Sequence, residues 1–389
     1  MLNLTASPPL SLYIHTPWCV QKCPYCDFNS HAIKDNGVPE EQYLQALLRD
    51  VEQDLHRIWG RRVQSVFIGG GTPSVLSPDF YDRLFSELRA RVMLSANAEI
   101  TMEANPGTID YEKFKGFREA GINRLSMGVQ SFDDQHLQIL GRIHSSKEAL
   151  NAYEFARKAG FENINLDLMF GLPSQSVKQA LQDVEQAIAL GPEHLSYYQL
   201  TIEPNTFYYT KPPTLPESDL IFQMQNEAQQ LIADNNFSQY EVSAYSRPNK
   251  QCMHNRNYWE FGDYLGIGAG AHSKLTDVNQ QKIIRLIKEK HPREYISKAL
   301  GVEVIVSEQD LSRKDLAIEF MMNALRLSDG FSTSLYNERT GLPITTIEAP
   351  LRTAEQQGFI EWGVNTITPN DKGKLFLNDL LELFLLDND

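Results

Sequence analysis

The sequence predicts an α/β protein in which parallel strands alternate with helices to form a full or partial (β/α) barrel. Two observations lead to this fold class. Six short apolar runs, rich in strand-forming residues, are separated by stretches with the apolar period of helices, and such repeats favour a parallel sheet. In addition, polar or glycine-rich residues follow several of these runs, and the carboxyl ends of barrel strands meet on one face.

The predicted strands share an apolar, often β-branched composition. They end near His15 and otherwise lie at Ser65–Gly69, Ile100–Glu103, Leu125–Gln130, Ile164–Asp167 and Leu195–Leu200. The predicted helices carry their apolar residues on one stripe and cover Leu44–Ile58, Pro78–Met93, Asp110–Ala120, Ser145–Ala159 and Ser176–Leu190. Ser77 and Ser145 are predicted N-caps. Gly121, Gly160 and Gly191 are predicted helix stops.

The polar residues at the strand ends favour a barrel over a doubly wound sheet. Glu103, Gln130 and Asp167 each end a predicted strand, the glycine turn 69–73 follows another, and a cysteine cluster follows the first. A barrel would bring all of these groups to one face. A doubly wound sheet would instead gather its site at a single switch point.

The pattern changes beyond residue 300. After a loop at 203–217, a helix at 218–235 and a strand near 240–245, the chain shows helical patterns at 311–327, 333–340, 344–357 and 371–386, and a hairpin at 359–362 and 366–368. This order is typical of a small α+β winged-helix-like domain, so we predict domains at 1–300 and 301–389. The helix 344–357 carries Glu348 and Glu355 against one Arg352, which argues against DNA reading.

Composition excludes several classes of protein. The chain has 36 Lys and Arg against 50 Asp and Glu, a net charge of −14, which argues against a general nucleic-acid binder. Four cysteines are too few for a disulfide scaffold. The sequence shows no apolar run of membrane-spanning length and no secretory pattern in its first ten residues, so we expect a cytoplasmic protein.

Three of the four cysteines form a Cys19-x3-Cys23-x2-Cys26 cluster. A structural zinc site would need a fourth ligand, which His15 or His31 could supply. A [4Fe–4S] cluster held by three thiolates would instead leave one iron open for a small chelating ligand. The spacing favours the iron–sulfur interpretation and leaves the zinc alternative open.

This segment resembles the radical S-adenosylmethionine (SAM) superfamily, whose signature is CxxxCxxC with an aromatic residue, here Tyr25, before the last cysteine. The Gly69-Gly70-Gly71-Thr72-Pro73 turn resembles the glycine-rich motif of the same superfamily. The resemblance implies that SAM binds the open iron and that an electron from the cluster splits its sulfonium. Glycines would let the backbone approach the methionine end of SAM.

Further motifs over most of the chain resemble the branch that contains oxygen-independent coproporphyrinogen III oxidase (HemN) and the heme chaperones of the HemW family. They are YxHxPxC at 13–19, PYCDF at 24–28, EANP at 103–106, SMGVQSF at 126–132 and DLMFGLP at 167–173. This resemblance implies a partial barrel of the radical SAM type. It implies a cofactor site formed by Tyr13, Tyr25, Gly70, Gly71, Thr72, Glu103, Gln130, Arg142 and Asp167, with Thr201 and Ala271 at equivalent pocket positions.

Three features separate the two halves of this branch. The oxidase form carries a fourth cysteine where this chain has Phe28, and a longer segment before the cluster than the eighteen residues found here. The segment His254-Asn255-Arg256-Asn257-Tyr258-Trp259 fits the HNxxYW pattern of the HemW family. His254 is a candidate heme ligand, and Tyr258 and Trp259 could stack on the macrocycle. The alternative is a packed aromatic turn.

The resemblance therefore favours a heme chaperone with a [4Fe–4S] cluster and SAM that passes heme to an acceptor protein. An oxidase-like radical SAM oxidoreductase and a zinc-stabilised binding module remain alternatives, so the status as an enzyme is open. We expect an electron donor among its partners and no nucleic acid. A peripheral membrane contact and a homodimer are left open. Cys252 is expected to be buried, or else to be a second heme contact. The basic stretch 282–293 is expected to be a solvated helix face, with heme propionates or an anionic membrane as alternative contacts.

Overall fold

The computed structural model describes residues 2–34, 37–301 and 303–385. Its strands are β1 Leu10–Thr16, β2 Trp18–Cys19, β3 His31–Ala32, β4 Arg62–Gly70, β5 Met93–Ala104, β6 Arg124–Gln130, β7 Ile164–Phe170, β8 His194–Gln199, β9 Ser238–Glu241, β10 Ala244–Ser246, β11 Asp263–Ile267, β12 His272–Asp277, β13 Lys282–Lys288, β14 Ile305–Asp310, β15 Phe331–Ser332, β16 Ile360–Trp362 and β17 Thr366–Pro369.

The helices alternate with the first strands and dominate the end of the chain. They are α1 Glu40–Asp54, α2 Pro78–Arg91, α3 Tyr111–Glu119, α4 Asp134–Ile139, α5 Ser146–Lys158, α6 Val177–Leu190, α7 Phe207–Thr210, α8 Ser218–Asp234, α9 Met253–Trp259, α10 Pro292–Gly301, α11 Arg313–Ala324, α12 Thr333–Thr340, α13 Glu348–Gln356, α14 Asp371–Leu375 and α15 Leu377–Glu382. Short 3-10 turns lie at Leu55–Arg57, Pro73–Val75, Pro106–Thr108 and Ile344–Ile347.

One large sheet runs through most of the described chain in the order β14-β13-β12-β11-β1-β4-β5-β6-β7-β8-β10-β9. Its middle, from β11 to β8, is parallel throughout. Antiparallel strands extend both sides. Within the described residues the order ends at β14 and β9 without closing, so the α/β fold is the partial barrel that the sequence and the resemblance predict.

The six strands predicted from apolar runs are all present, and the helices between them lie within a few residues of their predicted bounds. The predicted caps are confirmed: the Ser77 hydroxyl accepts from the Phe80 amide, and Ser145 forms a reciprocal capping box with Glu148. Gly121, Gly160 and Gly191 end their helices with φ of 107°, 90° and 72°. These are conformations that glycine adopts without strain.

The prediction for the basic stretch is wrong. Residues 282–288 form strand β13 and not a solvated helix face. Lys288 is fully buried, with its Nζ 2.6 Å from an oxygen of Asp50 and 2.5 Å from an oxygen of Asp54, both on α1. Two buried carboxylates thus hold the end of this strand against the outer helix layer. The predicted last helix is also interrupted, because α14 and α15 meet at Phe376; its predicted end at residue 386 lies outside the described residues.

Among the described residues, the two largest of three hydrophobic clusters lie mainly before and after residue 300. The larger joins the parallel strands to helices α1 to α3, α5, α6, α8 and α10. The smaller joins α11, α12, α13 and the three-stranded sheet β15-β17-β16, with Phe320 and Tyr336 at its centre. Strand β14 still pairs with the large sheet. The exact domain boundary at 300/301 stays a prediction. No helix among the described residues is both long and apolar enough to cross a lipid bilayer.

Candidate functional site

The three clustered cysteines line one cavity of about 350 Å³ at the carboxyl ends of the parallel strands. Cys19 lies on β2, and Cys23 and Cys26 follow in the loop; none is in a disulfide. The Thr72 hydroxyl donates to the Cys19 sulfur at 3.4 Å. Burial raises the pKa of the Cys19 and Cys26 thiols, which favours the neutral thiol until a positive centre arrives.

The glycine turn after β4 fits closely against this loop. A Cβ on Gly71 would lie 2.5 Å from the Trp18 carbonyl oxygen, and one on Gly70, whose φ is 110°, would lie 2.5 Å from the His15 ring. The Gly71 amide donates to the Thr16 carbonyl at 2.6 Å. Glycine is therefore required here because the turn and the cysteine loop touch through their backbones.

Two carboxylates, from strands that flank β6, line the cavity. Glu103, on β5, accepts a hydrogen bond from the Gly70 amide at 3.1 Å. Burial, reinforced by the charge of Asp167, raises the pKa of Glu103 from 4.5 to about 8. Asp167, on β7, accepts from Ser126 at 3.1 Å and from Asn165 at 2.8 Å, and burial raises its pKa too. Both groups can accept hydrogen bonds from hydroxyl or ammonium groups of a polar ligand.

Gln130 and Arg142 lie at the carboxyl end of β6. Gln130 has a φ of 71°, at a bulge between β6 and β7, and its side-chain oxygen accepts from the Tyr198 hydroxyl at 2.7 Å. Such a conformation in a non-glycine residue is characteristic of functional sites. Arg142 donates to the Gly128 carbonyl at 2.6 Å and approaches the Cys23 sulfur at 3.6 Å. Tyr25 lines the same cavity.

A second, larger cavity of about 990 Å³ adjoins the first. The two share wall residues, among them Phe28, Gly70, Glu103, Asn255 and Trp259. Tyr13, His254 and Tyr258 line only the larger one. Most of the predicted cofactor residues and all of the predicted heme residues therefore line two adjoining cavities.

His254 is held on α9, which packs against β1, β4 and β11. Its ring lies 5.1 Å from that of Phe67 and 6.3 Å from that of Tyr13. Its Nδ1 is buried without a hydrogen-bond partner. Burial lowers the pKa of His254 from 6.5 to about 3, so the imidazole is neutral over the physiological range.

Some predicted residues lie elsewhere. Thr201 is exposed, Ala271 is buried in the turn before β12, and neither belongs to the walls of these two cavities. Cys252 is fully buried, with its thiol 3.6 Å from a Glu99 carboxylate oxygen. His15 has both ring nitrogens engaged, by the Tyr13 hydroxyl at 3.0 Å and the Asn29 carbonyl at 2.9 Å.

Sequence reasoning did not identify several wall residues. Phe67 and Tyr198 lie inside strands and carry no motif; Arg124 and His194 are buried polar residues near the amino ends of β6 and β8. Arg124 and His194 alternate with apolar neighbours along their strands. This alternation was the sequence signal that could have identified them, because side chains facing the interior of a barrel alternate along each strand. Lys22, Arg285 and Lys290 also line the larger cavity.

The residues present fit a cluster bound by three thiolates. In the described ranges, no three His, Cys, Asp or Glu side chains are gathered tightly enough to hold a single metal ion. The three free thiols instead surround part of a cavity, with a hydroxyl directed at one sulfur and a guanidinium at another. Hydrogen bonds to sulfur of this kind accompany iron–sulfur clusters and tune them.

Comparison with known proteins gives concordant results. The radical SAM superfamily matches residues 13–187, and the HemN C-terminal domain matches residues 311–376. The heme chaperone HemW of Escherichia coli is 48% identical over 380 residues, which cover 98% of this chain and 99% of that protein. HemW of Bacillus subtilis is 32% identical over 385 residues, covering 96% and 99%.

Among solved structures, coproporphyrinogen III oxidase (HemN) from Escherichia coli superposes with a TM-score of 0.83 over 97% of this chain and 90% of that one. At 23% identity this likeness shows the fold alone. The extent and identity of the sequence matches go further. The chain belongs to the HemW family, within the HemN-like branch of the radical SAM superfamily.

Proposed function

We propose that this protein is a heme chaperone that binds heme in the larger cavity and hands it to an acceptor protein. The single observation that carries the proposal is His254, a neutral imidazole in the wall of a cavity of about 990 Å³. The relatives from Escherichia coli and Haemophilus influenzae, 48% and 47% identical, both bear the name heme chaperone HemW.

His254 suits an iron ligand for two reasons. Heme iron commonly takes a neutral imidazole nitrogen as its axial ligand. With its pKa lowered to about 3, His254 need not lose a proton before it binds a metal. The absence of a hydrogen bond at its buried Nδ1 also leaves a polar atom that a structural role would normally satisfy.

The rest of the wall suits a flat aromatic ligand. Tyr258 and Trp259 lie on the same helix as His254, with their ring centroids 5.1 Å apart and nearly perpendicular. Tyr13 and Phe67 add two further rings from β1 and β4. Aromatic faces of this kind supply large contact areas for a macrocycle, while Asn255 at the junction of the two cavities offers a hydrogen-bonding group.

Cys19, Cys23 and Cys26 would hold a [4Fe–4S] cluster and leave one iron for SAM. When bound, this group supplies one electron and, with SAM, the capacity to form a 5′-deoxyadenosyl radical. Gly70, Gly71 and Thr72 would bound the SAM site next to the cysteine loop.

The remaining cofactor residues have separate roles. Glu103 and Asp167 would accept hydrogen bonds from the ligand, and Arg142 would stabilise thiolate charge at Cys23. Tyr13, Tyr25 and Gln130 would complete the walls, whereas Thr201 and Ala271 do not line either cavity.

A heme titration tests the proposal. The cluster is reconstituted under anaerobic conditions and heme is added while the Soret band is followed. Parent protein is expected to bind heme saturably, and His254→Ala to lose the low-spin Soret shift. His56→Ala is the matched control, because His56 is exposed and lies outside both cavities. If His254→Ala binds heme with the parent affinity and spectrum, the ligand assignment is refuted.

The same preparation distinguishes the alternatives. Conversion of coproporphyrinogen III in the presence of SAM and a reductant would establish the oxidase-like activity. The chaperone proposal expects none, because Phe28, 57% exposed on both cavity walls, stands where the oxidase form has its fourth cysteine. Zinc without iron or sulfide after anaerobic purification would support the zinc-stabilised module. Transfer of bound heme to a separately purified apoprotein would demonstrate delivery.

A further inference from the structure

The larger cavity concentrates positive charge in a protein with a net charge of −14. Its walls include Lys22, Arg285 and Lys290, against the carboxylates of Asp27 and Glu103. A cationic wall beside an aromatic one is the combination that an amphipathic carboxylate ligand requires.

These three cations are not equivalent. Arg285 donates from Nε to Glu319 at 3.1 Å, and its other nitrogens contact Glu319 and the Tyr264 hydroxyl. Its charge is thus balanced by a carboxylate, and it holds Tyr264 in the cavity wall. Lys290 is exposed, and within the described residues no carboxylate pairs with its ammonium.

Lys290 differs in this from its neighbours in the basic stretch. Lys282 pairs with Asp310 at 3.4 Å, and Lys288 is buried between two aspartates. Arg293 lines a different cavity. Lys282, Arg285 and Lys288 thus form ion pairs within the fold, whereas Lys290 lines the larger cavity with no acidic partner in the part of the chain that the structure describes.

Lys22 and Lys290 are both linked to the segment 28–29, whose residues line the larger cavity. The Lys22 ammonium donates to the Phe28 carbonyl at 3.1 Å, and no ion pair joins it to a carboxylate of the described residues. The next residue, Asn29, donates from Nδ2 to the carbonyls of Lys290 and Ala269, each at 2.9 Å. The backbone of Lys290 is thus tied to the cysteine loop, and Lys22 and Lys290 line the same cavity.

We propose that Lys22 and Lys290 form a carboxylate-binding subsite in the larger cavity, and that in a bound heme they take its two propionates. The inference rests on the proposed function for the identity of the ligand. It adds the residues that distinguish a propionate-bearing macrocycle from a neutral one. Arg285 acts as a positioning residue, because Glu319 already balances its charge and its guanidinium holds the Tyr264 hydroxyl in the cavity wall.

The test compares heme with heme dimethyl ester, which keeps the iron and the ring but lacks the two negative charges. Both are titrated into the full-length, cluster-loaded protein in the same solvent mixture, at low and high ionic strength. We expect parent protein to bind heme at least about tenfold more tightly than the ester, because charge-assisted hydrogen bonds are lost with the ester. The difference should shrink at high salt.

Single substitutions then test which lysines contribute to heme binding. Lys290→Ala and Lys22→Ala are each expected to weaken heme binding about tenfold and to leave ester binding unchanged. Lys290→Arg should retain heme affinity. Lys282→Ala is the matched control, because it removes a lysine of the same strand region outside the cavity. Iron content and circular dichroism verify that each variant keeps its cluster and fold.

Two results would overturn the subsite. Parent protein that binds the ester as tightly as heme, or lysine variants that lose both ligands equally, would show that the lysines do not contact propionates. Failure of the proposed function is distinct, because parent protein would then bind neither heme nor the ester, and the subsite would fail with it.

Discussion

The raised pKa of Glu103 predicts an unusual pH dependence of stability. Folding moves its pKa from 4.5 to about 8 because burial and the nearby charge of Asp167 disfavour the carboxylate. The folded state therefore binds a proton more tightly than the unfolded state between these two values. The unfolding free energy therefore falls progressively through this group as the pH rises from 4.5 to about 8, and the loss is constant above that.

The magnitude follows from the size of the pKa difference. A shift from 4.5 to about 8 corresponds to about 5 kcal/mol of unfolding free energy once Glu103 is fully ionised. Glu103→Gln keeps the shape and cannot ionise, so it should be more stable than the parent at pH 8.5 and nearly equal to it at pH 5. The hydrogen bond from Gly70 is kept, since the amide oxygen can accept it.

Urea unfolding of the cluster-loaded protein without SAM, followed by circular dichroism at several pH values between 5 and 8.5, measures this difference. Glu162→Gln is the control, because Glu162 is exposed and no hydrogen bond or ion pair to its carboxylate is found among the described residues. A constant difference between Glu103→Gln and the parent across this range would refute the reasoning. SAM affinity should change in the opposite direction to stability. Above pH 8 the parent offers a charged carboxylate as acceptor and the variant does not, so Glu103→Gln should bind SAM more weakly there.

Three further substitutions test other contacts. Lys288→Ala leaves Asp50 buried without its cation, while Asp54 keeps Arg57 at 3.2 Å, and should cost about 3–5 kcal/mol in urea unfolding; unchanged stability would contradict the buried pairing. Arg326→Ala removes a guanidinium 4.4 Å from the ring centroid of Trp259. It should weaken heme binding a few-fold with iron content unchanged, whereas equal affinity would show that Trp259 is positioned without it. Gly71→Ala places a Cβ 2.5 Å from a backbone oxygen of β2 and should lower both iron content and stability, the latter by about 1–3 kcal/mol. Gly301→Ala, where a Cβ meets no atom within 4 Å, should retain both.

Pattern alone was sufficient for the parallel part of the sheet. Strands such as β4 and β7 are largely buried and contain short apolar stretches, Val66–Ile68 and Leu168–Phe170, and helices of clear period follow them. Strand β11, which is parallel to β1, and the antiparallel strands β12 to β14 were missed. In β13 the sequence Lys-Ile-Ile-Arg-Leu-Ile-Lys carries a basic residue at every third position, a spacing that one face of a helix also shows.

The candidate site divides in the same way. The cysteine spacing, the glycine turn and the strand-end carboxylates are local features, so the sequence could identify them as one group. It could not identify Phe67 or Tyr198, which reach the cavities from the interior of strands. Nor could it separate Lys290 from Lys288, because their different roles depend on aspartates more than 230 residues earlier in the chain.

The sequence by itself determined the order of strands and helices, the cysteine set and the motifs that identify the family, because each depends on neighbours in the chain. Only the tertiary structure decided which charges are buried in ion pairs and which line a cavity, and that the cysteine site and the His254 cavity share a wall. These properties depend on contacts between segments distant in sequence, and the packing of the sheet and α9 determines them.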